Sequence, residues 1–530
     1  MAKAKKQNFL GGAAILTAAV VLVKIISACY KIPLGNLLGD EGMCHFYAAY
    51  NIYNVLLTIS TAGLPLAISK LVAAARTEGR LNQTHRYFTV GVRLFILLGA
   101  VGSALMFFCA KTFATLLHDT QAFAPIRALS LSVLCVCIMS AVRGYTQGQN
   151  NMLPSGISQV IEALCKLCFG LAAAWLLLRR NYGLPIAAAG AISGVTVGTA
   201  LSMIYLLLWM ALHRHDDPVS ADVPEKDSVL LRRIFVIGIP ITFGAASMSL
   251  LSLLDQGVIL WRLQSALGLS ETAAGALYGQ YTFSQNLYNL PSSFIPPITM
   301  SLIPSVSAAL VTRDKAQVNR IVSASMRLIA LFALPAGAGL SVLARPILHL
   351  LYPAQWEVAE AAVYHLQILG VASVFVSLML LSNAILQAFG RERVPIYTML
   401  IGGTVKLGII YVLTADPAIG VKAAPISTIF CYALIAALNL GIVRRISEEK
   451  PRYFALFFRP VLCTLCMAAA AGASYRLLAG HFGNAVSTLA SILFGVLIYV
   501  ISVLALRVIR KEDLALLPKG EKMAKILRLR

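Results

Sequence analysis

Long apolar stretches recur along this chain of 530 residues, and they constrain its fold more than any other feature. Each is about as long as the roughly 20 apolar residues that a helix needs to cross a bilayer. Hydrophobic residues make up 58% of the chain and charged residues only 12%, whereas about a quarter of a typical soluble domain is charged. The composition predicts an all-α polytopic membrane protein and excludes soluble enzymes and disordered scaffolds.

Gly, Pro or charged residues bound fourteen of these stretches, which predicts fourteen transmembrane helices joined by short loops. Because the number is even, both termini lie on the same side of the membrane. The predicted spans are residues 9–31, 44–74, 88–110, 123–147, 155–178, 184–212, 230–262, 273–310, 321–344, 358–388, 394–414, 421–443, 455–475 and 485–506.

The distribution of basic residues predicts which side that is. The chain has 44 Lys and Arg residues against 22 Asp and Glu. With the termini in the cytoplasm, 28 of the basic residues fall on the inner side and 7 at outer ends, as the positive-inside rule requires. The excess of basic residues thus indicates which loops lie in the cytoplasm. Since no basic domain interleaved with aromatic residues exists, we predict no nucleic-acid partner.

The N-terminus admits two interpretations. Three lysines in the first six residues and an apolar stretch ending at Cys29 resemble a lipoprotein signal. Lys24 interrupts that stretch and the rest of the chain is polytopic, so an uncleaved first span is favoured. Cysteine pairs with CxxC spacing at 165–168 and 463–466 lack His partners or flanking loops. The sequence therefore predicts no metal site and no cofactor.

The two halves of the chain form a direct repeat. A collinear series of matches, with an offset that drifts slowly upward, predicts two six-helix lobes related by a pseudo-two-fold axis along the membrane normal. The substrate site is then expected between the lobes. The matched pairs are Tyr47/Tyr278, Tyr50/Tyr281, Asn54/Gln285 and Pro65/Pro296 at an offset of 231, Arg86/Arg320, Arg93/Arg327 and Lys111/Arg345 at 234, and Pro154/Pro395 at 241.

The repeat also predicts the domain organisation. Residues 1–215 form an N-lobe with helices 1–6, 216–229 a cytoplasmic linker, and 230–446 a C-lobe with helices 7–12. Residues 447–510 add a helix pair, and 511–530 a basic cytoplasmic tail. Short outer loops and the absence of GxxxxGK[ST], HExxH and GxSxG motifs favour a transporter over an enzyme.

Charges inside the predicted spans mark candidate site residues, because each costs at least about 2.5 to 3.5 kcal/mol at the bilayer centre. Seven residues, nearly two turns, separate Lys24 from Lys31 and Asp255 from Arg262, so each pair shares one stripe of its helix. We hypothesise that Lys24 and Asp255 pair or exchange partners deep in the site, whereas Lys31 and Arg262 form a cationic clamp nearer the outside. The alternative is a buried ion pair that only fixes the lobes.

Four further intramembrane charges are assigned gating or structural roles: Arg143, Glu162, Lys166 and Lys406. Glu162 and Lys166 are four residues apart on one helix, so we expect them to form a structural pair. Arg143 lies near a span end, where its side chain could instead extend to the interface.

Polar residues line one face of the second and the eighth predicted spans. They are Tyr47, Tyr50 and Asn54, and Tyr278, Tyr281 and Gln285. Hydroxyls, amides and aromatic faces suit a sugar, although a polar helix–helix interface is an alternative. Pro291, Pro296 and Pro297 are expected to bend or break the eighth helix. With the surplus of cations, these residues predict an amphiphilic ligand that carries a sugar on a phosphate or diphosphate.

Two sequence stretches also resemble a known family. Residues 143–154 (RGYTQGQNNMLP) followed by 157–162 (ISQVIE) resemble the polysaccharide-transport branch of the multidrug/oligosaccharidyl-lipid/polysaccharide exporter superfamily, and more narrowly the lipid II flippases of the stage V sporulation protein B type. Residues 30–34, 38–42 and 254–264 are similar to the same group.

That resemblance implies a bacterial plasma-membrane protein with two lobes around a V-shaped cavity and a final helix pair that holds an undecaprenyl tail. It implies that Lys24, Lys31 and Arg262 engage a diphosphate, and that the transporter works by alternating access without ATP. Expected partners are a lipid-linked diphosphate saccharide, membrane lipids and cell-wall synthesis enzymes.

Three alternatives stay open at this point. One is a flippase for another lipid-linked glycan, such as a capsule or teichoic precursor. Another is a cation-coupled multidrug exporter of the same superfamily, which typically has twelve spans and an acidic cavity. The third is a membrane scaffold without transport activity, which predicts that neutral substitutions at Lys24 and Arg262 leave function intact.

Overall fold

The computed structural model describes residues 9–213, 221–293, 295, 299, 302–303, 306–307, 309–310, 312, 314–447 and 449–508. Every regular element in these ranges is a helix, which confirms the all-α prediction. The predicted tail 511–530, Pro296 and Pro297 lie outside them. The helices are α1 Phe9–Thr61, α2 Gly63–Thr77, α3 Leu81–Phe108, α4 Ala110–Leu116, α5 Phe123–Gly148, α6 Leu153–Cys165, α7 Leu171–Arg179, α8 Leu184–Leu212, α9 Asp227–Ser265, α10 Glu271–Ser292, α11 Lys315–Val342, α12 Ala344–Leu351, α13 Trp356–Ala388, α14 Val394–Leu413, α15 Ala423–Ile446, α16 Tyr453–Leu478 and α17 Asn484–Ala505.

Twelve helical stretches of the described chain are long and apolar enough to cross a membrane. Large apolar side chains remain exposed on them, such as Leu97 at 62% and Leu493 at 71%, as lipid-facing surfaces require. The chain is therefore a multi-pass membrane protein. The total of fourteen spans stays a prediction.

One of the twelve stretches, Ala18–Thr77, has 60 residues. At 1.5 Å per residue it would be about 90 Å long, three times the thickness of the hydrocarbon core. The helix α1 is broken inside it at Gly39, whose φ of 66° and ψ of −165° are not helical. Glycine adopts a positive φ at little cost because it has no Cβ. The break falls between the first two predicted spans.

The helices form two compact units, Met1–Gly279 and Gln280–Arg530. In the first unit α5 is the central helix, with most of its residues buried against α1, α2, α3 and α8. The helix α9 packs along α1 and α2 in the same unit. The lobe and linker boundaries inferred from the repeat stay predictions.

The second unit is built around α11, α13 and α15. Met326, Ile329, Ile385 and Val443 are buried in its main apolar cluster. The helices α16 and α17 pack on each other, and α16 also packs on α11. A second, smaller cluster around Cys463 joins this pair to α11.

Distant residues cap the start of α3 in the first unit. The carboxylate of Asp222 accepts hydrogen bonds from the backbone N–H groups of Asn82 and Gln83, at 2.9 Å each. A carboxylate at this position satisfies amides that have no partner in the helix and interacts favourably with the helix dipole. The linker before α9 is therefore fixed to α3 by the side chain of Asp222. In the second unit α11 is capped locally instead, because Asp314 accepts from the backbone of Gln317 at 2.9 Å.

Small residues allow α8 to approach the α6–α7 region closely, as expected for a glycine-rich span. A Cβ atom at Gly194 would lie 2.4 Å from the backbone nitrogen of Gly170, and one at Gly198 would lie 2.7 Å from the carbonyl oxygen of Glu162. No side chain fits in either place without moving the backbone.

We therefore expect Gly194→Ala to destabilise the protein by about 1 to 3 kcal/mol through overpacking. The matched control is Gly408→Ala in α14, where an added Cβ meets no atom of the described chain within 4 Å. Thermal unfolding of the detergent-solubilised variants measures the difference. Equal melting temperatures for the two variants would contradict this packing.

Candidate functional site

The candidate site starts at Lys31, which lies beside two tyrosines of its own helix. Its Nζ donates a hydrogen bond to the hydroxyl of Tyr47 at 3.0 Å and lies 5.0 Å from the centre of that ring and 5.7 Å from the Tyr50 ring. In an unbroken helix Lys31 and Tyr47 would be about 24 Å apart along the axis. The break at Gly39 therefore creates the contact.

Two more lysines accompany Lys31 and form with it what we call the lysine cluster (Lys24, Lys31 and Lys166). Lys166, at the start of a short π-helical turn, lies 5.3 Å from the ring centre of Tyr30. The three ammonium groups are within electrostatic range of one another. Like charges this close repel in a medium of low dielectric constant, so an anion among them would be attracted by all three.

The tyrosine beneath Lys166 is itself held in place. Tyr30 is fully buried, and its hydroxyl donates to the carbonyl of Ala191 on α8 at 2.9 Å. The cation–π face that Tyr30 offers is thus part of the packed helix bundle. Tyr30 falls within the stretch 30–34 that resembles the family, but no local sequence pattern links it to Lys166, since the two residues meet across helices.

Arg143 rather than Lys166 pairs with Glu162, which corrects the sequence prediction. The Arg143 guanidinium lies 3.3 Å from the Glu162 carboxylate and donates to the Ser158 hydroxyl at 2.9 Å. Separate nitrogens of the Arg143 guanidinium on α5 thus engage two positions one turn apart on α6. Glu162 remains within electrostatic range of Lys166, but its direct ion pair is with Arg143.

The predicted ion pair between Lys24 and Asp255 is not formed in this structure. Lys24 is exposed and makes no ion pair within the described residues, whereas Asp255 is buried. The reason is the register of α9, which is set by contacts with the part of α1 beyond the break. Asn51 donates to Gln256 at 2.7 Å, and Thr58 and Ser249 are bonded at 2.8 Å. These bonds place Asp255 beside the second predicted span.

The remaining predicted residues are distributed over both units. In the first unit, Arg262 lies 5.7 Å over the ring of Trp261, and its clamp with Lys31 stays a prediction. Tyr47 and Tyr278 are buried, while Tyr50 and Asn54 are half-buried. In the second unit, Tyr281 packs edge-on to His365 with ring centres 5.7 Å apart, and Gln285 is half-buried.

Lys406 gives the second unit a buried cation of its own. Its side chain is 5% exposed, and it lies within electrostatic range of Tyr288, which is hydrogen-bonded to Tyr432. Lys166 and Lys406 are 240 residues apart, close to the repeat offset. Each unit therefore contains an intramembrane lysine within electrostatic range of a tyrosine.

These features define a polytopic helical membrane protein whose first unit offers a cationic, tyrosine-lined site. The chain belongs to the polysaccharide biosynthesis protein family, whose sequence model matches residues 9–310. The resemblance found in the sequence is thus confirmed.

Individual relatives are similar over most of their length. Stage V sporulation protein B of Bacillus subtilis (strain 168) is 26% identical over 527 residues, which cover 97% of this chain and 98% of the relative. Lipid II flippase MurJ of the same organism is 25% identical over 477 residues, 86% of each chain. A solved structure of lipid II flippase MurJ in an inward closed conformation matches with a TM-score of 0.69 at 13% identity, covering 92% of this chain and 98% of that one. This likeness shows that the two chains share a fold.

The Arg143–Glu162 pair generates a double-mutant prediction. We expect Arg143→Gln and Glu162→Gln each to lower thermal stability, because each leaves a partly buried charge without its partner. The double variant should lose less than the sum of the two, with a coupling of about 0.5 to 3 kcal/mol.

The control cycle uses Glu162→Gln with Lys166→Gln, whose effects on thermal stability should be nearly additive. A larger coupling in the control cycle than in the Arg143 cycle would contradict the Arg143–Glu162 pair and support the predicted pair of Glu162 with Lys166.

Proposed function

We propose that this protein moves an undecaprenyl-diphosphate-linked saccharide, the peptidoglycan precursor lipid II, from the inner to the outer leaflet by alternating access. The observation that carries the proposal is the lysine cluster beside the Tyr47 and Tyr50 rings. The relatives named above support the choice of a lipid-linked saccharide. The predicted orientation, with both termini in the cytoplasm of the bacterial plasma membrane, belongs to the same proposal.

The charge of the cluster favours a diphosphate. Each intramembrane lysine costs at least about 2.5 to 3.5 kcal/mol, and none of Lys24, Lys31 and Lys166 has an ion pair within the described residues. The nearby acid, Glu162, is engaged by Arg143. A bound diphosphate would supply the missing negative charge, and the tyrosine rings and hydroxyls would contact a sugar attached to it.

Lysine is suited to a ligand that must be released. An ammonium group attracts phosphate as a point charge on a flexible stem, without the fixed bidentate geometry of arginine. Binding by several such groups tolerates rotation of the diphosphate while access changes from one side to the other. The affinity then follows from charge and from exclusion of water rather than from one aligned set of hydrogen bonds.

The alternatives make different demands on the same residues. A multidrug exporter for cationic compounds would meet repulsion from the lysine cluster, so the charge of the site disfavours it. A flippase for another lipid-linked glycan would use the same diphosphate contacts, and the family description, polysaccharide biosynthesis, is compatible with it. Cell-wall synthesis enzymes are proposed as partners on the basis of the resemblance alone.

The test is complementation of bacteria depleted of their lipid II flippase. We expect the wild-type protein to restore growth and Lys31→Gln to fail, with outer-leaflet lipid II reduced by about tenfold, because the substitution removes the cation that lies against both tyrosine rings. Cleavage of lipid II by an externally added hydrolase measures the outer-leaflet pool.

The matched control is Lys70→Gln, which neutralises an exposed lysine of α2 and should complement as well as the wild type at equal expression. Failure of the wild type would contradict lipid II as the substrate and direct the search to other glycan lipids. Full activity of Lys31→Gln would contradict the role of the cluster and favour a scaffold.

A further inference from the structure

A histidine and an aspartate are buried together just beyond the break in α1, outside the lysine cluster. Nδ1 of His45 lies 2.7 Å from Oδ1 of Asp119, and the two residues are 3% and 2% exposed. The other ring nitrogen, Nε2, is buried and makes no hydrogen bond within the described chain. The Oε1 atom of Glu41 lies 3.9 Å from it. The transport mechanism proposed above uses none of these groups.

The hydrogen bond to Asp119 determines what the ring can do. An imidazole that donates Nδ1–H to a carboxylate carries its lone pair on Nε2. A buried acceptor without a donor is unfavourable. Transfer of a proton from a hydronium ion to Nε2 breaks one O–H bond, forms one N–H bond and releases water. It makes Nε2 a donor near the Glu41 carboxylate and places an imidazolium between two carboxylates.

The surroundings of the ring are predominantly acidic. Asp40 accepts from the backbone of Glu41 at 2.9 Å, and the Sγ atom of Cys44 lies 3.7 Å from Asp119. Glu271 accepts hydrogen bonds from Thr120, next to Asp119. At this end of the packed elements the acidic, basic and thiol groups are, on α1, Asp40, Glu41 and Cys44; before α5, His118 and Asp119; on α9, Asp255 and Arg262; and on α10, Glu271.

These residues meet where three segments are in direct contact, which we call the outer junction (residues 40–45, 118–120 and 271–279). A Cβ atom at Gly279 would lie 2.0 Å from the carbonyl oxygen of Asp40, so the backbones of α10 and α1 touch. Gln264 of α9 donates to the carbonyl of His118 at 2.7 Å. In the predicted topology these segments lie on the outer side, so any opening of the first unit toward that side separates them.

We propose that His45 is a proton-binding site whose occupancy stabilises the closed outer junction. Protonation strengthens the attraction between the ring and the carboxylate of Asp119, which lies on another segment, and so favours closure at low pH. Glu41, one turn before His45 on the same helix, favours the protonated ring without joining segments. Deprotonation weakens the attraction to Asp119 and favours opening at high pH. A proton can shift this equilibrium only to the extent that it binds the two states unequally. The link from this equilibrium to substrate movement rests on the proposed function.

Hydrogen–deuterium exchange of the purified full chain in detergent tests the site without any substrate. After correction for the intrinsic pH dependence of exchange, we expect the amides of the peptide covering residues 40–47 to exchange at least about fivefold more slowly at pH 5.5 than at pH 8. The His45→Gln variant should lose this difference. The matched control is His85→Gln, which removes a different histidine of the same unit, bonded to Tyr145 at 3.2 Å, and should retain it.

A second variant keeps the test valid if His45→Gln does not fold. Asp119→Asn keeps the size of the side chain and removes one of the two charges, so the midpoint of the protection change should move to lower pH. Protection that does not depend on pH in the wild type, or that keeps the same pH dependence in His45→Gln, would overturn the proton site. Neither result bears on lipid II flipping, whose failure appears only in the complementation test.

Discussion

The break in α1 at Gly39 is the constraint on which the rest of the first unit depends. A positive φ at this position turns one 53-residue helix into two segments that run side by side, and glycine accepts this conformation without steric penalty. Lys31 can then reach Tyr47 and Tyr50, which follow it by four to five turns. The same break presents the carbonyl of Asp40 to Gly279. One dihedral angle thus positions both the lysine cluster and the outer junction.

Polar contacts between helices then set the register in which the second segment of α1 lies against α9. Asn51 with Gln256 and Thr58 with Ser249 form hydrogen bonds across an otherwise apolar interface. Such bonds are worth on the order of 1 kcal/mol each in membrane proteins, enough to select one register among several that apolar packing alone would allow. They bring the stretch of α9 around Asp255 beside the second predicted span, and Lys24 forms no ion pair within the described residues.

Composition and helical periodicity were enough to predict part of this structure. Apolar runs predicted the helices, and the shared stripe of Lys24 and Lys31 indicated a cationic face on α1. The predicted ion pairing was wrong where a partner comes from a distant helix: Glu162 is four residues from Lys166, but Arg143 reaches it from α5. His45 and Asp119 were not identified at all, because 74 residues separate them and no local spacing marks a pair that only folding brings together.

The distribution of charge along α1 has a consequence for anything anionic that travels beside it. Lysines precede Gly39 and carboxylates follow it, so the sign of the side-chain charge changes across a single glycine. A negatively charged headgroup would be attracted on one side of this glycine and repelled on the other.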